Sequence, residues 1–134
     1  MGFNAIESIP REIWKATSLE SLDLQQNRVH EMHVAEEDMN HLTRFTGLLL
    51  HSNSLTSVPS EISALMQLRI LTLNSNQITE IPSELMKLTN LMELSFSRNP
   101  CSIPVEVFTL EKLTRLGCGG CGVALTQIST SIGK

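Results

Sequence analysis

The amino-acid sequence predicts a solenoid, a stack of like coils around one shared core, from three observations that keep a common period. Asparagines recur at Asn4, Asn27, Asn53, Asn76 and Asn99, spaced 23, 26, 23 and 23 residues apart. Prolines keep the same beat at Pro10, Pro59, Pro82 and Pro104, each behind Ile or Val. Between them run steps such as Leu71-Thr72-Leu73, whose period of two belongs to a strand. A leucine-rich helical bundle is excluded by the same residues, because proline breaks helix interiors and the leucine spacing is not 3.6.

The copies follow in order. The first full one reads Leu19-x-x-Leu22-x-Leu24-x-x-Asn27-x-Val29, and the second Phe45-x-x-Leu48-x-Leu50-x-x-Asn53-x-Leu55. Leu68-x-x-Leu71-x-Leu73-x-x-Asn76-x-Ile78 and Leu91-x-x-Leu94-x-Phe96-x-x-Asn99-x-Cys101 come next. Leu113-x-x-Leu116-x-Cys118-x-x-Cys121-x-Val123 is the last. Residues 1–134 thus read as a single array, with repeats starting near 19, 45, 68, 91 and 113 and a partial repeat over 1–18.

Each position has a physical reason. Strand alternation sends Leu71 and Leu73 into the core and Thr72 to the opposite, solvent-facing side. A turn asparagine carries two donors and an acceptor, enough to satisfy buried backbone groups of adjacent coils, so the column of asparagines is expected to form a ladder. Pro59-Ser60-Glu61-Ile62 and Pro82-Ser83-Glu84-Leu85 read as the start of a helical turn: proline supplies the φ, and a carboxylate sits near the positive end. Ile62, Leu85 and Val107, then Leu65, Leu88 and Leu110, are expected to close the core from the far side. Ile13 and Ala16 would do the same in the first return.

At these residues the chain resembles the leucine-rich-repeat family over nearly its whole length. Its 23-residue period with an Ile-Pro step looks most like the intracellular Ras-group members. The resemblance implies an α/β, right-handed leucine-rich-repeat solenoid, with short parallel strands on a concave face and helical or 3-10 returns on a convex one. It implies a scaffold as well, in cytoplasmic signalling around small GTPases, kinases or phosphatases.

Three departures stand out. The return from Val29 to Met39 is longer, lacks proline and is polar (His30, Glu31, His33, Glu36, Glu37, Asp38), as befits a convex or edge loop. The fifth copy reads Gly117-Cys118-Gly119-Gly120-Cys121-Gly122, a poor strand by composition. Neither end shows a polar cap, so self-association through the ends, with Ile6, Ile9, Leu22 and Leu24 unburied, or a place within a longer array is expected.

Composition narrows the function. A hydrophobic fraction of 41% is that of a folded domain, and aromatics at 4% leave the core to aliphatic side chains. The net charge of −4 argues against nucleic acid, whose phosphates need a basic face. No apolar run approaches the roughly 20 residues of a membrane span. No basic stretch leads into an apolar one near Met1 as in a secretory signal, and Ile6 stands where an acylation motif needs Ser or Thr. Three cysteines cannot all pair and no Asn-x-Ser/Thr sequon occurs, which points to a reducing compartment.

Cys118-Gly119-Gly120-Cys121 has the spacing of a redox or metal pair, but Cys118 and Cys101 fall on core positions and Cys121 on the turn position, where small thiols pack well. No second pair exists to complete a zinc site. His30 and His33 belong to the long return and His51 to a strand, so with His41 they read as solvated side chains. No nucleophile–base set and no Gly-x-x-x-x-Gly-Lys loop is present. No catalytic residue, metal or cofactor is therefore expected. What remains is the face formed by the x positions of the strands: Asp23, Gln25, Leu49, His51, Ile70, Thr72, Asn74, Glu93, Ser95 and Arg98. Apolar Leu49 and Ile70 lie amid polar neighbours, the layout of an interface core within a hydrogen-bonding rim. The reading is a protein-interaction module. Two others stay open: a regulatory repeat segment of a larger enzyme such as a kinase or ubiquitin ligase, and a thiol or metal protein using Cys118 and Cys121.

Overall fold

In the computed structural model, which describes residues 4–102 and 104–120, every coil from Leu19 onward contributes one short strand to a single parallel sheet. The strands are β2 (Ser21–Asp23), β4 (Gly47–Leu49), β5 (Ile70–Thr72), β6 (Glu93–Ser95) and β7 (Arg115–Gly117), side by side in that order. A smaller parallel pair, β1 (Ser8–Ile9) with β3 (Glu31–Met32), lies beside the first two coils. Consecutive parallel strands require a crossover, which winds right-handed for reasons of backbone twist. Here each crossover is a return on the convex side, giving the right-handed leucine-rich-repeat solenoid architecture.

Four returns are single 3-10 turns: η1 (Arg11–Lys15), η2 (Ser60–Ala64), η3 (Ser83–Lys87) and η4 (Val105–Thr109). Proline shapes the entry to each of them. Pro10, Pro59, Pro82 and Pro104 sit one residue before each turn in extended conformation, not within its first turn. The proline carbonyl accepts the opening bond: Ile62 N–H donates to Pro59 O at 3.2 Å and Leu85 N–H to Pro82 O at 3.1 Å. Glu12, Glu61, Glu84 and Glu106 occupy the first turns.

The long return is more than a polar loop. Without proline it folds into β3 and one α-helical turn, α1 (Glu36–Met39), whose Met39 is buried. Leu42 N–H then donates to Met39 O and Phe45 N–H to Leu42 O, as Leu65 N–H does to Ile62 O and Leu68 N–H to Leu65 O. Met39 and Leu42 thereby take the core slots of Ile62 and Leu65. Arg11 binds both Glu37 (2.9 Å) and Asp38, fastening this return to η1.

The core is continuous. Leu48, Leu71 and Leu94 are fully buried from the strand side, as are Ile62, Leu85, Val107, Leu65 and Leu88 from the convex side. Ile13 is only half-buried and Ala16 exposed in the first return; Trp14 is fully buried there instead. Its indole N–H donates to His33 O at 2.9 Å, and its ring meets Phe45 edge-on, centroids 6.0 Å apart. Of the end residues expected to lie open, Ile9 is buried by the β1 pairing, Leu22 and Leu24 are half-buried and Ile6 is exposed.

The asparagine ladder is realised. Asn76 Nδ2 donates to Leu50 O (3.0 Å) and Leu73 O (2.9 Å), while its Oδ1 accepts Leu55 N–H at 2.9 Å. Asn53 and Asn99 repeat the pattern one coil to either side, with Val29 N–H and Ile78 N–H as the donors to their Oδ1.

Urea unfolding should rank the contributions. Leu71→Ala and Leu94→Ala are expected to cost about 2–5 kcal/mol each. Asn76→Ala should match them, since each buried group left unsatisfied costs about 1–3 kcal/mol. A midpoint for Asn76→Ala close to wild type would show that the ladder is incidental.

The Arg11 guanidinium, mainly through its hydrogen bond, holds the Asp38 carboxyl below the usual aspartate range. A depressed carboxyl adds stability above its unfolded-state pKa and loses it as pH falls through the folded value. Asp38→Asn should therefore narrow the gap between urea midpoints at neutral and strongly acid pH. An unchanged gap would mean that solvent screens the contact entirely.

Candidate functional site

Strand register assembles the concave face row by row. Asp23, Leu49, Thr72, Ser95 and Gly117 are successive partners across the sheet, and so are Ser21, Gly47, Ile70, Glu93 and Arg115. The ladder continues past the strands: Gln26 N–H donates to His51 O at 3.0 Å and Ser52 N–H to Asn74 O at 2.9 Å. Gln25, His51 and Asn74 therefore form a third row. The residues anticipated for this face are brought together by backbone pairing.

Their individual states differ from the simple alternation picture. Ile70 is exposed, opposite Gly47, while Leu49 is half-buried. Thr72 is not solvent-facing: it is 9% exposed, and its Oγ1 is buried with no hydrogen-bond partner among the described residues. It sits between Leu49 and Ser95 in the middle strand of the sheet. Thr72 is part of the wall of the face, not the solvent-facing side chain that alternation predicts.

Polar groups around it are largely tied to one another. Ser95 Oγ donates to Asn74 Oδ1 at 3.1 Å, and Gln25 donates twice to the Asp23 carboxylate, from N–H and from Nε2, both at 3.1 Å. Glu93 faces Arg115 at 4.0 Å. Such mutual bonding holds the side chains in place before a partner arrives.

Arg98 belongs to a different class of position. Gln26, Ser52, Ser75 and Arg98, each one residue before a ladder asparagine, have φ of 56°, 59°, 57° and 58°. This left-handed conformation turns the chain out of the sheet in the first four strand-bearing coils, and none of the four is glycine, whereas Gly120 takes the same place in the fifth with φ of 81°. Sequence pattern concealed it, because glycine is the usual mark of positive φ. Arg98 projects from the face's C-terminal border, exposed.

The fifth copy does form a strand, contrary to its composition. β7 pairs with β6 in register, and ladder bonds need no side chains. Gly117 has a steric reason: a Cβ there would lie 2.7 Å from Ser95 Oγ. Gly117, Gly119 and Gly122 stand at the G-x-G-x-x-G spacing of a dinucleotide fingerprint. That fingerprint puts its first glycine in the turn after a strand, whereas Gly117 ends β7 within the sheet.

His51 Nδ1 lies 3.5 Å from Ser52 Oγ, the outer limit of a hydrogen bond, and no described carboxylate bonds the imidazole; an activated serine needs a closer base held by a third group. Cys101 is buried and Cys118 half-buried, and burial pushes the Cys118 thiol up, away from reactivity. Cys121 lies outside the described residues. Among the described residues no group of three or more His, Cys, Asp or Glu is placed to hold a metal.

Comparison with known proteins agrees with this architecture. Residues 67–88, one coil spanning β5 and η3, match the family model Leucine Rich Repeat. The leucine-rich-repeat ectodomain of the receptor kinase SOBIR1 from Arabidopsis thaliana superposes with a TM-score of 0.72 at 27% identity, over 85% of this chain and 64% of that one. A plant peptide hormone receptor, RGFR1 in complex with RGF2, gives 0.72 at 31% identity, over 84% of this chain and 18% of that one. A leucine-rich-repeat protein of Leptospira interrogans gives 0.72 at 24% identity, over 99% of this chain and 40% of that one, a likeness of fold alone. This chain thus spans less than two thirds of each. A search among curated proteins finds no match in sequence.

Two substitutions probe the face. Thr72→Val removes the buried hydroxyl at nearly constant volume and should stabilise the protein by about 1 kcal/mol. Gly117→Ala forces Ser95 aside and should destabilise it by about 1–3 kcal/mol. Thermal melts check both; a destabilised Thr72→Val would show that the hydroxyl has a partner in solution.

Proposed function

We propose that this chain, whose fold is the leucine-rich-repeat solenoid, is a protein- or peptide-binding module that uses its concave face. One observation carries the reading: a backbone-fixed face with Ile70 exposed and Leu49 half-buried at its centre, surrounded by pre-bonded Asp23, Gln25, Asn74 and Ser95. Exposed apolar surface within a polar border is the make-up of an interface core, and side chains already held by neighbours lose little entropy on binding. The structural likeness to a peptide hormone receptor supports a polypeptide ligand.

An intracellular scaffold in signalling, around a small GTPase, kinase or phosphatase, is the finer form of the proposal. It rests on the 23-residue period and Ile-Pro step of the Ras-group members, and on cysteines used as core residues. A cytoplasmic location follows from the same signals. Structural relatives include receptor-kinase ectodomains, so a regulatory repeat segment of a larger enzyme is the second reading.

Affinity capture should decide where the partner binds. A Leu49→Glu, Ile70→Glu double variant is expected to keep a cooperative melt and to lose every partner retained by wild type. A folded variant that keeps its partners would move the interface off the concave face, to the return over His30–Asp38.

A further inference from the structure

The segments that lead from each return into its strand stack into a rim along the sheet's N-terminal edge. Arg69 N–H donates to Thr46 O, Met92 N–H to Arg69 O and Thr114 N–H to Met92 O, each at 2.8 Å. Side chains brace the stack: Asn90 Nδ2 donates to Met66 O at 2.9 Å and Lys112 Nζ to Asn90 Oδ1 at 2.7 Å. The rim adjoins the concave face at Ile70 and Glu93.

Three large apolar side chains reach solvent here, on two adjacent coils: Met66 (51% exposed), Met92 (44%) and Ile70 (37%). Single exposed aliphatics are ordinary, but a contiguous group is not. Methionine adapts its shape to an incoming surface. Charge is distributed unevenly as well. Arg44, Arg69, Lys112 and Arg115 are exposed along this rim, with Glu20 and Glu111 toward its two ends; Arg115 pairs with Glu93 and Lys112 with Asn90, whereas among the described residues neither Arg44 nor Arg69 forms an ion pair. The convex side is acidic, with Glu12, Glu61, Glu84 and Glu106 in the 3-10 turns and Glu36, Glu37 and Asp38 in α1. In a chain of net charge −4, unpaired cations beside exposed methionines at one edge form a surface complementary to anions that carry an apolar group.

We propose that this rim extends the concave site into a dock for an acidic peptide with an apolar anchor. The anchor seats on Met66, Ile70 and Met92, and flanking carboxylates face the unpaired Arg44 and Arg69. Coils about 4.8 Å apart let a peptide at about 3.3 Å per residue cross four of them in roughly five residues. Single-stranded nucleic acid fits less well, because it binds by stacking on aromatic side chains, and the rim's Phe45 is fully buried. The inference rests on the protein-binding reading and adds the partner's chemistry.

Random dodecapeptides displayed on phage and selected on the purified chain test it. Enriched sequences should be net negative around one or two apolar residues. A fluorescein-labelled copy of the strongest binder should lose at least about tenfold in affinity, roughly 1.4 kcal/mol, with Arg69→Glu and again with Met92→Ser. Its affinity should also fall several-fold between about 50 and 300 mM salt. Glu61→Lys, on the convex side, should bind as wild type, and melting curves confirm that all variants fold. Neutral or basic binders would overturn the proposal. Acidic binders indifferent to Arg69→Glu and Met92→Ser but lost in Leu49→Glu would overturn the rim and leave the concave-face reading standing. A labelled 20-nucleotide RNA that binds wild type in place of any peptide would overturn the partner class; no enrichment at all would sink both readings.

Discussion

A strand of three residues cannot satisfy its own turn, and the structure depends on how that shortage is met. Each of the first four strand-bearing coils leaves the sheet through a left-handed residue, Gln26, Ser52, Ser75 or Arg98, and the next residue is an asparagine that reaches back into the core. Its oxygen takes a backbone N–H from the preceding coil and its amide donates to carbonyls of its own coil, and in the three buried members Asn53, Asn76 and Asn99 the amide donates to the coil before as well. Buried amide groups left unpaired would cost about 1–3 kcal/mol each. One side chain per coil thus offsets several such groups, and fixes the distance between coils in doing so.

Stacking at a fixed repeat has a direct consequence for recognition. Backbone pairing and the buried asparagines make most of the coil-to-coil bonds, so the chemistry of most exposed side chains can vary while their positions stay set by the backbone. The concave rows and the N-terminal rim are two such sets, joined at Ile70. The convex side, with a carboxylate at the start of every 3-10 turn, separates negative charge from the edge that bears Arg44 and Arg69. A partner is offered a polarised object. Electrostatic complementarity of this kind governs encounter and orientation more than final affinity.

The first two coils show how the plan absorbs an irregularity. Three extra residues and the missing proline would leave a gap above Trp14 if the return were a loose loop. Instead β3 pairs with β1, α1 places Met39 in the core, and Arg11 ties the helix to the neighbouring turn. Trp14 spans the space that smaller residues fill elsewhere, its N–H bonded to a return carbonyl.

Periodicity by itself determined the coil, the strand positions, the asparagine ladder and the side-by-side rows of the sheet. Each of these follows from a residue type recurring at a fixed interval, which a linear reading detects. What only the tertiary structure decided are properties that arise between coils. Thr72 is covered because Leu49 and Ser95 flank it on a curved sheet; alternation alone places it in solvent. The glycine-rich fifth strand forms because its backbone completes a ladder that β6 already presents, and Gly117 makes room for Ser95. The rim of Met66 and Met92 beside Arg69 gathers residues that follow no motif in sequence, and stacking alone makes them neighbours. Left-handed turns at Ser52 and Ser75 were equally hidden, since the conformation is imposed by the asparagine bonds that follow and not by the serine itself.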